Sequence, residues 1–548
     1  MKRCPKCHQV FGEETLKYCR TDGTPLVRTS FIEAATMLFP VERAASLPAT
    51  LPLETTPSIA VLPFANLTAD PATDCFSDGL ADGLIQALSR IENLKVAART
   101  SAFSFKGKEV EVRHIGNTLH VDTVLEGSVR QSKSRMRITV QLVDAKNGYQ
   151  LWSERFDRDV RDVLNVQNEI TRALIDALQV KLSDRERTLV YKQHTQNAKA
   201  HELYLQGRLQ TSRLTREGFR AGVELLKSAI AEDPGYALAY AGLAEAYYFA
   251  SSVHLPPADA LIQVKAAAEK ALELDEQLAE AHALVAIVAA YYDRKPDEAD
   301  AGFKRSLELA PNSLLAHQWY GRYLMSQGRL AAAMAEFFRA RELDPLSPGL
   351  SALKSITYFF ARQPHKALRE ARKAISIDQN FWFGYWSAAL AHEQLGQLLE
   401  ALTELERARE LESSPWITAV RARVYAKLGR REIAEAVLAE ATEAAEKHWV
   451  APYLIATVHF ELDDKERGFD WLEKAFAHYD EALNFMTVDP LLDAYRTDPR
   501  FVDLLRRAGL EQSHAKTHLV ITVSGSLKSS DNFSRDALIS TEARKIWV

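Results

Sequence analysis

Between residues 198 and 510, apolar positions recur at helical spacing, and every second apolar segment halts at a small or acidic residue and a breaker. The stops are Asp233-Pro234, Asp275-Glu276, Ala310-Pro311, Asp344-Pro345, Asp378-Gln379 and Glu412-Ser413. After a first gap of 42 residues they stand 35, 34, 34 and 34 residues apart. This period predicts stacked helix hairpins, each burying its apolar face against the next. Extra residues at 211–217 and 251–257 predict longer loops in the first two hairpins. Upstream the period changes. Ser58-Ile-Ala-Val-Leu-Pro-Phe64 is a short apolar run that predicts a buried strand, and 94–99 predicts a second. Between them, Phe76, Leu80, Leu84 and Leu88 at helical spacing predict a helix over 74–91. Segments 121–130, 135–144 and 149–157 alternate apolar and polar residues and predict three more strands. Asn147-Gly148 predicts a hairpin turn because both residues tolerate positive φ. An amphipathic helix over 160–182 closes this region.

The interior of each period has its own pattern. With Leu314 as position one, Gly321 falls at eight, Gly328 at fifteen, Ala333 at twenty, Phe337 at twenty-four, Ala340 at twenty-seven and Pro345 at thirty-two. Later periods keep it with Ala367, Ala371 and Ala374, then Ala389, Gly396, Ala401 and Ala408, then Ala422, Tyr425, Gly429, Ala434 and Ala441. Residues 198–511 therefore resemble an array of tetratricopeptide (TPR) repeats. Small residues at eight and twenty let two helices approach, and the breaker at thirty-two ends the second. The ending VDPLLDAYRTDPRFVDLLRRAGL resembles a terminus common in such arrays, and is read as a cap on the open apolar end.

In TPR proteins, positions two, five, nine and twelve of the first helix line a concave groove. Here they hold Leu284, Val288 and Tyr291, then Gln318, Arg322 and Met325, then Ile356 and Phe359. Phe383, Trp386 and Glu393 follow, and finally Trp416 and Arg423. The resemblance implies a groove for an apolar or aromatic peptide, or for a neighbouring domain, because aromatics and Arg dominate interface energetics. The Lys/Asn set that clamps a C-terminal carboxylate in chaperone-binding TPRs is missing from these positions. The competing reading is that these side chains pack inside the array or against the chain's own upstream domain.

The segments SIAVLPFANLTADPATDCFSDGLADGLIQAL and VDTVLEGSVRQSKSRMRITVQLVDAKNGYQLWSERFDRD, with the helix after them, resemble the TolB-type amino-terminal (FlgO-like) domain over residues 57–184. In many bacterial regulators that domain lies between an input or output module and TPR repeats. The resemblance implies an α/β fold and no reaction. Asp74, Asp78, Asp82 and Glu126 are the carboxylates a catalytic site would use, but the three aspartates, four residues apart, read as a solvated helix face. Phe105-Lys-Gly-Lys lacks the flanking Gly and terminal Ser or Thr of a phosphate loop. With no nucleophile elbow, His-Glu-x-x-His pair or kinase signature in the sequence, the chain reads as non-enzymatic.

At 548 residues, 47% apolar and 26% charged, the chain is long enough for several globular domains. A net charge of −5 argues against a global nucleic-acid or anionic-membrane footprint. The N-terminus has only Lys2 and Arg3 and no apolar core behind them, so no signal peptide is expected. The most apolar helical run, 283–292, is about half the length of a membrane span, and the expected location is cytoplasmic.

Three of four cysteines fall in the first nineteen residues, as Cys4-Pro-Lys-Cys7 and Cys19-Arg-Thr-Asp22-Gly23. Two such knuckles would join on a tetrahedral structural zinc, the metal supplying the folding energy that so short a segment lacks. Asp22 occupies the usual place of a fourth Cys, and His8 is the rival fourth ligand. Residues 1–27 resemble the short zinc ribbons at the N-termini of some bacterial signalling proteins. Their charges, Lys2, Arg3, Lys6 and Lys17, open a second class of function, a nucleic-acid-binding regulator. Cys75 reads as a small core residue, 28–56 as a linker and 512–548 as a mostly disordered tail. The expected whole is multidomain: a zinc ribbon, an α/β domain and an α-solenoid of TPR pairs acting as a bacterial interaction scaffold. A regulatory part of a cyclase- or kinase-type system is the further alternative.

Overall fold

The computed structural model describes residues 56–510 apart from 69, 133–134, 160–162, 213–214, 252–254 and 448, together with three two-residue strands nearer the N-terminus. The chain divides into two compact units, 1–55 and 56–548. In the first, β1 (Lys2–Arg3) pairs antiparallel with both β2 (Val10–Phe11) and β3 (Val27–Arg28). Cys4, Cys7, His8, Cys19 and Asp22 lie outside the described residues, as do nearly all of the linker and the whole of the tail.

The second unit begins with an α/β layer. Strand β4 (Ser58–Val61) is fully buried, as its unbroken apolar run requires. It lies parallel between β6 (Lys95–Val96) and β7 (Thr123–Ser132), and β5 (Ala65–Asn66) extends the pairing along β7. Strands β8 (Arg135–Asp144) and β9 (Gln150–Asp159) continue the sheet antiparallel. Helix α1 (Pro71–Leu88) starts on the Asp70 side chain, which accepts from the Thr73 amide. The short helices α2 (Arg99–Phe103) and α3 (Val112–Leu119) carry no long apolar period. Helix α4 (Val163–Ala177) joins α1 on one sheet face, where Leu80, Leu84 and Leu88 meet Val166, Ile170 and Leu174 over Ile138 and Leu142.

Two local expectations change. The β8–β9 connection is a hairpin, but its loop is longer than two residues. Gly148 has φ of 77°, whereas the turn is organised by Asp144, whose Oδ1 accepts from the Lys146 and Asn147 amides. The Asp74/Asp78/Asp82 face is not simply solvated. Lys106 reaches Asp74 at 3.1 Å and Asp78 at 2.7 Å, and Arg99 and Arg208 flank Asp82. Burial raises the Asp78 carboxyl above its usual range, with Lys106 working against it. Cys75, on the same helix, is half-buried, and burial with nearby carboxylates pushes its thiol up to about 11.

After α5 (Asp184–Val190), the array is built from helix hairpins. They are α6 (Ala198–Thr211) with α7 (Arg216–Glu232), α8 (Ala237–Ala250) with α9 (Pro257–Leu274), and α10 (Ala279–Tyr291) with α11 (Pro296–Leu309). There follow α12 (Leu314–Ser326) with α13 (Leu330–Leu343), α14 (Pro348–Phe360) with α15 (Pro364–Ile377), and α16 (Trp382–Gln394) with α17 (Leu398–Leu411). The last are α18 (Pro415–Lys427) with α19 (Arg431–Lys447) and α20 (Pro452–Glu461) with α21 (Lys465–Ala477). Each stop predicted from sequence, from Asp233 to Glu412, is the C-cap of a second helix. Position eight is small for a visible reason: a Cβ on Gly321 would stand 2.6 Å from the Phe337 ring.

The turn between the two helices of a hairpin needs a left-handed residue. Gly328, Gly396 and Gly429 supply it at φ of 70°, 76° and 73°. Arg294, Arg362 and Asp463 occupy the equivalent place at 56°, 57° and 59°. Asp463 is exposed, so Asp463→Gly is expected to stabilise the protein by about 1 kcal/mol, read from the urea midpoint.

The α/β layer sits along the repeat ends. The Asn312 side chain donates to the Ile91 and Leu94 carbonyls at 2.7 and 3.0 Å, and Asp344 accepts from the Thr100 and Ser101 hydroxyls. Lys192 meets Asp275 at 2.6 Å, and the Thr195 hydroxyl donates to Asp233 at 2.6 Å. Beside these contacts, burial pushes the His201 imidazole down to about 4, and burial with the Arg90 charge pushes His194 to about 3. The unfolded chain takes up those protons near pH 6.5 while the folded chain stays neutral, so this part of the stability is lost as the pH falls from about 6.5 toward 4. Burial holds Asp480 near 6, which acts in the opposite sense over the lower part of that window. Wild type is therefore expected to lose more of its melting temperature between pH 7.5 and 5 than His201→Gln does, a difference that calorimetry at the two pH values measures.

Candidate partner-binding site

The concave positions picked out from sequence lie on successive first helices, as the repeat places them, but the chain's own residues cover most of them. After α21 the backbone enters two 3-10 helices, Glu481–Phe485 and Pro490–Tyr495, then α22 (Pro499–Arg507). Tyr479 stacks on Tyr292 with ring centres 4.6 Å apart, and Phe485 stacks on Phe360 at 5.5 Å. Glu481 pairs with Arg322, and the Thr487 hydroxyl donates to the Ser326 carbonyl at 3.1 Å. Arg362 holds both oxygens of Asp493 at 2.6 and 2.8 Å, and Arg294 lies 3.6 Å over the Phe476 ring. Three arginines on successive repeats thus turn toward one C-terminal segment.

Each predicted groove residue can now be placed. Tyr291, Met325, Phe359 and Trp386 are buried, as are Leu284, Val288 and Ile356. Arg322 is half-buried against Glu481, and Gln318, Phe383 and Trp416 are half-buried too. Phe383 stacks on Trp386 at 5.0 Å, Trp416 meets Trp386 edge-on at 5.6 Å, and the Trp386 indole N–H donates to the Trp416 carbonyl. Arg423 is only 2% exposed and grips both oxygens of Glu393 at 2.8 and 2.7 Å. Burial drives the Glu393 carboxyl up, and the charges of Arg423 and Lys427 more than offset it, leaving it below the usual range. These two are structural partners inside the array. The half-buried Phe383 and Trp416, with Trp382 against Phe383, and separately the half-buried Gln318 on α12, are what these positions still offer to another molecule.

Sequence reasoning gave the groove positions and missed their occupant. The segment 479–495 has no helical or strand period, so nothing in its pattern announced where it would lie. Asp233, Asp275 and Asp344 were legible as stops and not as hydrogen-bond partners, and nothing in the pattern singled out Asn312. Among the described residues no group of three or more His, Cys, Asp or Glu could hold a metal, and no helix is long and apolar enough to cross a membrane.

Helix hairpins with this spacing and packing define a TPR-repeat protein carrying an α/β domain. The family model described as HilA/YgeH-like transcriptional regulator, second domain, matches residues 54–173, which span most of the α/β layer, where the sequence resembled the TolB-type domain. The chain is 35% identical over 263 residues to putative adenylate cyclase 3 of Rhizobium meliloti (strain 1021), covering 48% of this chain and 44% of that protein. It is 29% identical over 96 residues to the FAM10 family protein At4g22670 of Arabidopsis thaliana, covering 18% and 22%. The chain thus spans less than half the length of the curated relatives it matches. Among solved structures it is similar to a tetratricopeptide repeat protein from Parabacteroides merdae ATCC 43184, at 15% identity and a TM-score of 0.37 over 49% of this chain and 100% of that one. It is also similar to pilF of Pseudomonas aeruginosa, at 19% identity and a TM-score of 0.31 over 39% and 92%.

Proposed function

We propose that this chain is a non-enzymatic scaffold of bacterial cytoplasmic signalling, holding a protein or peptide partner through its TPR array. The observation that carries the reading is the half-buried aromatic pair Phe383 and Trp416, joined through the buried Trp386 ring. Aromatic side chains that are rigidly stacked and still reachable are the residue type that anchors protein interfaces. The test is retention of a host protein by the full chain, compared with Phe383→Ala/Trp416→Ala. A partner held by wild type and lost by the folded double variant supports the groove. A partner held equally by both moves the recognition surface elsewhere.

In this reading Cys4, Cys7, Cys19 and Asp22 hold a structural zinc, with His8 as the rival to Asp22. The donor types suit zinc. Metal analysis of the purified chain is expected to find one zinc per chain in wild type and a large loss in Cys7→Ser. Asp22→Ala should lose affinity only if Asp22, rather than His8, is the fourth ligand.

The likeness to a protein named as a putative adenylate cyclase supports a second reading, in which the chain regulates a cyclase-type system. Formation of cyclic AMP from ATP by the purified chain would overturn the non-enzymatic reading. The description of the matched family as a transcriptional regulator supports the nucleic-acid alternative. Salt-dependent retention of DNA or RNA that requires residues 1–60 would favour it, and no retention at low salt would remove it.

A further inference from the structure

The sheet of the α/β layer ends in two unlike edges. Strand β6 is two residues long, whereas β9 runs for ten residues without proline and, among the described residues, pairs only with β8. A strand in that place presents a row of unpaired N–H and C=O groups, and natural edges are usually cut short or bent to keep other chains off. The direction of these groups follows from the register. The Leu62 and Leu67 amides donate to the Leu125 and Val129 carbonyls, so those residues of β7 turn their backbone toward β4 and β5. Backbone direction alternates along an antiparallel ladder. Their partners Leu142 and Ile138 therefore turn toward β9 and meet Trp152 and Phe156, which leaves Ser153, Arg155 and Asp157 turned outward. All three are exposed.

The charges of this edge, read backward, match themselves with the sign reversed. Arg155 and Asp157 flank Phe156, and Glu154 and Arg158 stand beyond them. An antiparallel copy of β9 with a two-fold axis at Phe156 sets Arg155 opposite Asp157 and Glu154 opposite Arg158. In that register the outward backbone groups of Arg155 face those of Asp157, as a hydrogen-bonded pair requires. Moving the axis one residue either way sets Arg155 or Asp157 against its own copy, and like charges directly opposite repel. Within one chain, Asp157 pairs with Arg137 at 2.7 Å and Arg158 with Glu169 at 2.7 Å, all at solvent-accessible positions. Glu154 is exposed and makes no ion pair among the described residues.

We infer that β9 is the docking edge for a second copy of this chain, the two sheets joining into one across a two-fold axis at Phe156. The charge pattern selects the occupant, because it complements itself in this register. The pairing goes beyond partner binding by the array, since it sets two arrays in one particle.

The test is sedimentation equilibrium of the full chain at low salt. Wild type is expected to dimerise with a Kd of about 10 µM or tighter. Glu154→Arg alone and Arg158→Glu alone each set like charges opposite at two symmetric places, and each is expected to weaken the dimer at least about tenfold. Mixing the two variants restores opposite charges at both places, so the mixture is expected to dimerise within about threefold of wild type. Hydrogen exchange of residues 153–159 in wild type is expected to slow as the concentration rises through the Kd, a readout that needs no variant to fold. Wild type that stays monomeric at about 100 µM overturns the inference. So does a dimer undiminished in either folded variant, a mixture no tighter than its components, or a dimer without added protection at 153–159.

Discussion

Arg423→Met is expected to lower the unfolding free energy by about 3–5 kcal/mol. Arg423 and Glu393 are both nearly excluded from water, at 2% and 4% exposure, and the guanidinium also donates to the Thr457 hydroxyl at 3.2 Å. Removing the cation leaves a buried carboxylate with Lys427 as its remaining charge, 3.0 Å away and partly solvated. The penalty arises from that orphaned charge more than from the lost attraction. It follows that Arg423→Met/Glu393→Met should recover most of the loss, since a buried pair and an apolar pair of similar volume differ little. Urea denaturation of both variants separates the cases. A double variant as unstable as the single one would mean that the pair itself holds the hairpins together.

Ending the chain after His478 is the second large perturbation, expected to cost on the order of 5 kcal/mol. The lost residues include Leu483, Met486, Leu492, Phe501, Leu504 and Leu505, none more than 4% exposed. Their removal uncovers Phe360 and Tyr292, deprives Arg322 and Arg362 of their carboxylates, and takes Asp489 from the Tyr453 hydroxyl. Because the lost contacts reach the hairpins of Tyr292, Arg322 and Phe360 as well as the last one, hydrogen exchange is expected to show loss of protection from α10 onward while α6 to α9 keep theirs. Uniform loss along the array would show that the segment stabilises the solenoid as a single cooperative unit. Arg362→Ala alone removes a partly exposed ion pair and should cost no more than about 1 kcal/mol.

The array was legible because its information is periodic. Small residues at eight and twenty, Phe337 at twenty-four and a stop near thirty-two each answer to one packing demand, and the Gly321–Phe337 contact is that demand in atomic form. The α/β layer was legible through its strand alternation, while α2 and α3 were not, being too short to establish a period. Asn147-Gly148 announced a hairpin and hid its turn, because Asp144 competes for the same amides. The candidate site was legible only as a set of positions. Whether Arg322 meets solvent depends on a distant aperiodic segment, and no local rule reaches that far. The metal ligands read from sequence fall outside the described residues.

The hydrogen bonds at Asn312 and Asp344 come from the α/β layer, and those at Asp275 and Asp233 from Lys192 and Thr195 in the segment after α5, so four consecutive repeat ends are held from upstream. A free solenoid can gain or lose a unit at modest cost, since each unit senses only its neighbours. Here the upstream contacts act as a gauge of fixed pitch, and a unit added or deleted between Asp233 and Asp344 would put every later contact out of phase. Beyond Asp344 the count is held a second time, because the C-terminal segment returns to Tyr292, Arg322 and Arg362 and an added unit would carry it out of reach. The first four hairpins have a set count in the way a geared rack does, by what they mesh with rather than by what they contain.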